Sequence, residues 1–207
     1  EEGALALDLL RTQLSLAGFS SVDATTGARV FTGLPVWGCD KGFTDTNAAF
    51  GANPCKNSGS TANVMVVGYE ANNFNSIEVE AANATDPMLP ANCASHSITA
   101  VGAVHIADNR FFIRNEADGN PSLYCRGSTG GTNFGDAVAL VPNIESMRLR
   151  FAITRTTTRG EVAPHQVTNF VDASALITED DWARVAAVDI CLLVRSERPV
   201  PPGGLTM

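Results

Sequence analysis

One stretch constrains the fold of this chain more than any other. Met147, Leu149, Phe151 and Ile153 alternate with Arg148, Arg150, Ala152 and Thr154. Successive side chains of a strand point to opposite faces, so the pattern predicts a strand with one apolar and one wet face. Half-solvated strands of this kind belong to antiparallel sheets, because parallel sheets are covered on both sides. Other segments supply neighbours for it. Val64 to Tyr69 is apolar and β-branched, and Ile98, Ala100, Gly102, Val104 and Ile106 fall on one face of a predicted strand. Phe111 to Arg114 and Ser122 to Arg126 flank Asp118-Gly119-Asn120-Pro121, which predicts a hairpin carrying Tyr124 and Cys125 on its second arm. Val185 to Arg195 is the most apolar run and is expected at the centre of the sheet.

Helical spacing is confined to two places. Over residues 3 to 17, Leu7, Leu10, Leu14 and Ala17 make one apolar stripe and Leu5, Leu9 and Leu16 a second beside it, with Gly18 as the C-cap. Either both stripes pack on the chain's own domain, or one packs there and the other faces a partner. Near the other end, Thr178 caps a short helix with Asp181 three residues on, and Trp182 sits within it. A helix, then loops, then strands predicts an α+β fold with an antiparallel sheet. The expected organisation is a helix over 1–19, one β-rich head over 20–198, and an extended Pro/Gly tail over 199–207.

Between Gly38 and Asn63 the chain is rich in Gly, Asn, Thr and Ser and is long for an ordinary loop. Cys39 and Cys55 bracket it, and a bridge there would close about 17 residues and stabilise the fold by roughly 3 kcal/mol. The other cysteines are Cys93, Cys125 and Cys191, and none of the five forms a C-x-x-C pair. Two disulfides and one buried thiol fit an oxidising compartment; five reduced cysteines would fit the cytosol. Proximity, with Cys191 kept as a buried free thiol in an apolar strand, favours Cys39–Cys55 and Cys93–Cys125, while other connectivities stay open.

The chain has 207 residues, 14 basic against 22 acidic, for a net charge of -8. An acidic surface repels phosphate backbones and anionic lipid, so no nucleic-acid partner is expected. No apolar run reaches the roughly 18 residues of a membrane span. The chain starts at Glu1-Glu2 rather than Met, and its ends read as expression or processing boundaries, which leaves room before Glu1 for a targeting or membrane segment. Little points to bond chemistry. His96, His105 and His165 have no metal-ligand spacing. Ser128 lies in a Gly-rich segment without the ending of a phosphate loop, and no nucleophile elbow occurs. Asp40, Asp45 and Asn47 lack the pattern of a calcium loop. Asn83-Ala84-Thr85 is a sequon that matters only in a eukaryotic secretory setting. Glu179, Asp180 and Asp181 suit a helix start. No enzyme activity, cofactor or metal is expected.

Two longer segments carry a resemblance. Pro121-Ser122-Leu123-Tyr124-Cys125-Arg126-Gly127 is followed by Leu140-Val141-Pro142-Asn143-Ile144-Glu145-Ser146-Met147. Trp182 to Ser196 reads Trp-Ala-Arg-Val-Ala-Ala-Val-Asp-Ile-Cys-Leu-Leu-Val-Arg-Ser. Both resemble PilW-type minor pilins of type IV pili, as does Asp8 to Phe19, which is similar to the end of that family's first helix. The middle, roughly 30 to 100, matches nothing comparable. The resemblance implies a pilin-like fold, with an amphipathic helix packed on an antiparallel β-sheet head and a long disulfide-stapled loop region. It implies a head in the periplasm, anchored in the inner membrane by a preceding apolar helix and later carried to the pilus tip.

The function so implied is association with other minor pilins and the major pilin in a complex that primes pilus growth, with a large tip adhesin as a further partner. Leu5, Leu7, Leu9, Leu10, Leu14 and Leu16 are the expected helix interface, and the loop over 38–63 the expected partner-facing surface of the head. The alternatives are a type II secretion minor pseudopilin of the GspJ kind, a secreted ligand-binding adhesin domain, and a periplasmic hydrolase.

Overall fold

The computed structural model describes residues 1–59, 62–81, 88–155 and 166–196. Helix α1 (Glu2–Ser15) opens the chain. The strands follow as β1 (Val36–Cys39), β2 (Val64–Ala71), β3 (Glu78–Val79), β4 (Leu89–Pro90), β5 (His105–Asn115) and β6 (Pro121–Gly130). Then come β7 (Asn133–Phe134), β8 (Val138–Pro142), β9 (Ile144–Thr154) and β10 (Val167–Val171). A 3-10 turn (Ala173–Ala175) and the one-turn helix α2 (Glu179–Trp182) lead into β11 (Val185–Val194). The larger sheet has the order β1-β2-β5-β6-β7, with β8 also pairing β6; β10-β9-β11 form a second sheet and β3-β4 a third. Every pairing among these strands is antiparallel.

This architecture corrects the expected α+β, pilin-like head. Among the described residues strand makes up 44% and helix 12%, so the fold is mostly β, with antiparallel strands divided among separate sheets. The helix is an attachment to this β body rather than a layer of it. Leucines ring α1 without a clean polar face, and only Ala6 and Leu10 are buried. Gln13 fixes its far end by accepting a 2.8 Å hydrogen bond from the Asn109 amide on β5.

The hairpin forms where the turn signal puts it. Phe111 pairs with Cys125 and Asn115 with Pro121. Its tip is closed by Asp118 Oδ1, which accepts from the Asn120 N–H at 2.9 Å. On β9, Met147, Leu149 and Phe151 are buried and Arg148 and Arg150 exposed, as an alternating strand requires. β9 packs across β5 and β6, so side chains of both larger sheets meet in one core, with Phe111, Leu123, Met147 and Phe151 near its centre.

Two strand expectations need correction. Ile98 to Ile106 is not one strand: Gly102, at φ +66°, turns the chain so that Val101 bridges Val104, and β5 begins only at His105. An apolar alternation interrupted by a glycine that takes up a left-handed conformation is a turn. The second concerns β11. The strand buried at all eight positions is β2, between β1 and β5, whereas β11 pairs only with β9 and is half exposed along its length.

Candidate partner-binding surfaces

The segment after β1 is a built structure. A disulfide joins Cys39, the last residue of β1, to Cys55, and Phe43 bridges Cys55 beside it. Arg110 of β5, only 1% exposed, reaches the loop from below. Its guanidinium donates to the carbonyls of Thr46 and Ala48 at 2.7 and 2.8 Å and pairs with Asp108 at 2.9 Å. It also lies 4.2 Å from the Phe134 ring centroid and within 6 Å of Trp37 and Phe43. A buried charge is tolerable only when so fully partnered. Arg126 adds a 2.8 Å bond to the Thr46 hydroxyl. Asp40 accepts from the N–H groups of Ala173 and Ser174, both at 2.9 Å, and thereby ties the loop to the 3-10 turn.

The second surface lies along α1 and β11. The helix runs beside the strand, with Gly3 against Val194 at one end. Towards the other end they part, leaving a groove of about 760 Å³ lined by Leu7, Arg11 and Leu14 on one side and Val185 to Ile190 on the other. No described strand pairs the outer edge of β11. On the strand Leu193 is 56% exposed and Val194 38%, and on the helix Leu5 is 58% and Leu7 42% exposed. Sheet edges are commonly blunted by charge, proline or brevity. β11 spans ten residues, holds no proline, and carries Asp189 as its one charge.

The expected helix interface divides accordingly. Leu5 and Leu7 face solvent, Leu9, Leu14 and Leu16 are partly buried against the core, and Leu10 is fully buried and so leaves the surface available to a partner. Cys93 and Cys125 form the second disulfide. Cys191 is a free thiol, but an exposed one, which corrects the expectation of a buried residue. It stands on the exposed strand, not in the centre of a sheet.

Of the residues weighed for metal or catalytic chemistry, several have other partners here, while the buried Nδ1 of His96 has no hydrogen-bond partner among the described residues. Asp45 accepts from the Asn47 N–H at 2.8 Å. A ring nitrogen of His105 lies 2.6 Å from the Ile98 carbonyl. Ser128 accepts from the Asp108 N–H and donates to the Ile106 carbonyl, tying β5 to β6. His165, the sequon at 83–85 and the tail at 199–207 lie outside the described residues. Sequence reasoning missed Arg110 altogether: its isolated charge gives no sign of burial until β1, β5 and β7 converge on it.

The motif segments meet in space. Leu123, Tyr124 and Cys125 are core residues of β6, and Gly127 is required because a side chain there would strike Asn92. Val141, Ile144 and Met147 are buried where β8 passes into β9 through Asn143, at φ +62°. Glu145 of β9 pairs with Arg195 at 3.4 Å, joining the first segment to the second. Trp182 packs edge-on against Phe151, ring centroids 4.8 Å apart. Thr178 and Asp181 form a reciprocal capping box before β11. Its hydrogen bonds, first the one from the Thr178 N–H, hold the Asp181 carboxyl down at about 2.

Fold and surfaces together define a class: a disulfide-stapled, mostly β protein with an apolar strand edge that no other described strand pairs, beside a helix. A family model described as Type IV Pilus-assembly protein W, PilW, matches residues 110–204, a little under half of the chain. That match supports a PilW-type assignment, and it contains the β6–β9 and Trp182–Ser196 motifs while leaving α1 and the stapled loop outside. It links the chain to type IV pilus assembly, and so to the cell envelope or pilus and to protein partners. No curated protein and no solved structure matches the chain. No helix among the described residues is long and apolar enough to cross a membrane.

Proposed function

We propose that the chain is a minor pilin subunit that joins other minor pilins in the tip complex priming type IV pilus assembly. In this reading it does no bond chemistry, and it travels from the envelope to the pilus tip. The observation that carries it is the α1–β11 face. An edge of ten residues with exposed Leu193 and Val194, flanked by exposed Leu5 and Leu7, is a template for strand addition or for a second amphipathic helix. Main-chain pairing along β11 would supply affinity, and the alternate side chains and the groove would supply choice of partner. Exposed apolar surface of this extent in an assembly protein is accounted for by association.

The test is co-purification with the minor pilins encoded beside this chain, using Leu193→Asp and Leu7→Asp. Each change should abolish association while leaving the melting temperature of the isolated chain within a few degrees. Association at the unaltered level with both substitutions in place would overturn the reading.

A further inference from the structure

Beneath the stapled loop lies a pocket of about 510 Å³ between the Cys39–Cys55 disulfide and the segment from Ala173 to Trp182. Its walls are apolar and aromatic, with Trp37, Phe50, Leu176 and Trp182 among them. Both tryptophans of the chain therefore line one cavity. So do both of its lysines, Lys41 and Lys56, on exposed backbone at the mouth. In a chain of net charge -8, this is a local concentration of the opposite sign. Lys41 spends one of its three donors on the Asn57 carbonyl, at 2.9 Å, and neither lysine is in an ion pair among the described residues. The one carboxylate of the lining, Asp40, is already engaged by two backbone N–H groups.

One of the lining residues also carries an unanswered donor. Trp182 is 2% exposed, and its indole N–H is buried with no hydrogen-bond partner among the described residues. Buried polar groups are nearly always paired, and an unpaired one marks a place where an acceptor belongs. Positive charge therefore predominates among the side chains of the lining, and its walls carry aromatic rings. A pocket of a few hundred cubic ångströms holds one or two side chains.

We propose that this pocket binds an acidic, apolar segment of a partner polypeptide, an aromatic or branched side chain entering between Trp37 and Trp182 with carboxylates at Lys41 and Lys56. The inference rests on the reading that the chain works by binding other proteins. It adds the chemical class of one such partner and places its contact on a face distinct from α1 and β11. The Cys39–Cys55 bridge and the Arg110 contacts hold the pocket's wall in place before binding, which lowers the ordering cost.

The experiment is a titration of the ¹⁵N-labelled chain with the peptide acetyl-Gly-Asp-Leu-Phe-Asp-Gly-amide, followed by the two indole N–H cross-peaks. The Trp182 signal should shift and saturate below about 1 mM, and the Lys41→Ala/Lys56→Ala pair should weaken binding at least about tenfold. The same peptide with asparagine at both acidic positions should leave the signals in place. An unmoved Trp182 signal, or a shift indifferent to the two lysines, would overturn the proposal. So would a response to the acidic glycan sialyllactose and none to the peptide. Leu193→Asp should leave the titration unchanged. A silent titration with intact minor-pilin association therefore counts against the pocket alone, and a responsive titration with no such association counts against the proposed function alone.

Discussion

Strands β2 and β11 are made of similar material and live in different surroundings. β2 reads Val-Met-Val-Val-Gly-Tyr-Glu-Ala and β11 reads Val-Ala-Ala-Val-Asp-Ile-Cys-Leu-Leu-Val. β2 has a hydrogen-bonded neighbour on each side and is buried at every position, even at Glu70, whose carboxylate is claimed by the N–H and hydroxyl of Ser21. β11 has one neighbour among the described strands, and much of its side-chain surface meets solvent. Apolar content says that a strand will be covered, not by what. For β2 the cover is the chain itself. For β11 it is the helix in part, and on our reading another subunit for the remainder.

The comparison breaks most visibly at the core strand. Met65→Ala should cost about 2–5 kcal/mol in urea unfolding, because a fully buried side chain leaves a cavity behind. A loss under about 1 kcal/mol would mean that β2 is not the packed centre described here. Next in size is Cys39→Ser with Cys55→Ser. Freeing a loop with a sequence separation of 16 should lower stability by about 3 kcal/mol and loosen the wall that β1 shares with the pocket. Thr178→Ala removes the cap that leads into β11 and should cost about 1 kcal/mol, felt in the second sheet more than in the first. The smallest stability change belongs to β11: Leu193→Ala should lie within about 0.5 kcal/mol of the unaltered chain despite its apolar sequence. An effect as large as that of Met65→Ala would erase the distinction between the strands.

Acid sharpens the same contrast. The Asp181 carboxyl titrates at about 2 in the folded chain against 3.8 ordinarily. Its pKa is depressed on folding, so its contribution is complete above about 4 and is lost as pH falls through about 2. Urea midpoints measured across that window should fall, and should fall less in Thr178→Ala, where much of the depression is gone.

The sequence made some of these features legible and hid others for physical reasons. β9 was readable because one of its faces is wet, so burial is written as alternation, and the β5–β6 hairpin because Asp118-Gly119-Asn120-Pro121 can do little but turn. The capping box before β11 was readable because its two members lie three residues apart. The position of β11 was not, since a continuous apolar run carries no information about how many neighbours a strand has. The α+β expectation failed for a related reason: a leucine-rich helix of fourteen residues stands out in sequence, whereas two-residue strands such as β3, β4 and β7 do not. Of the candidate sites, the bracketing of the loop by Cys39 and Cys55 could be seen in advance. The gathering of both lysines and both tryptophans at one pocket could not, because the fold brings Trp182 to the loop from more than a hundred residues away.

The central claim is that the open edge of β11 is where this chain meets another subunit. Amide hydrogen exchange, on the chain alone and co-assembled with the minor pilins encoded beside it, tests that directly. The account predicts new protection at Val185 to Val194 and along α1, with β2 already protected and unchanged. Exchange along β11 that stays the same on assembly, with protection gained elsewhere, would contradict it.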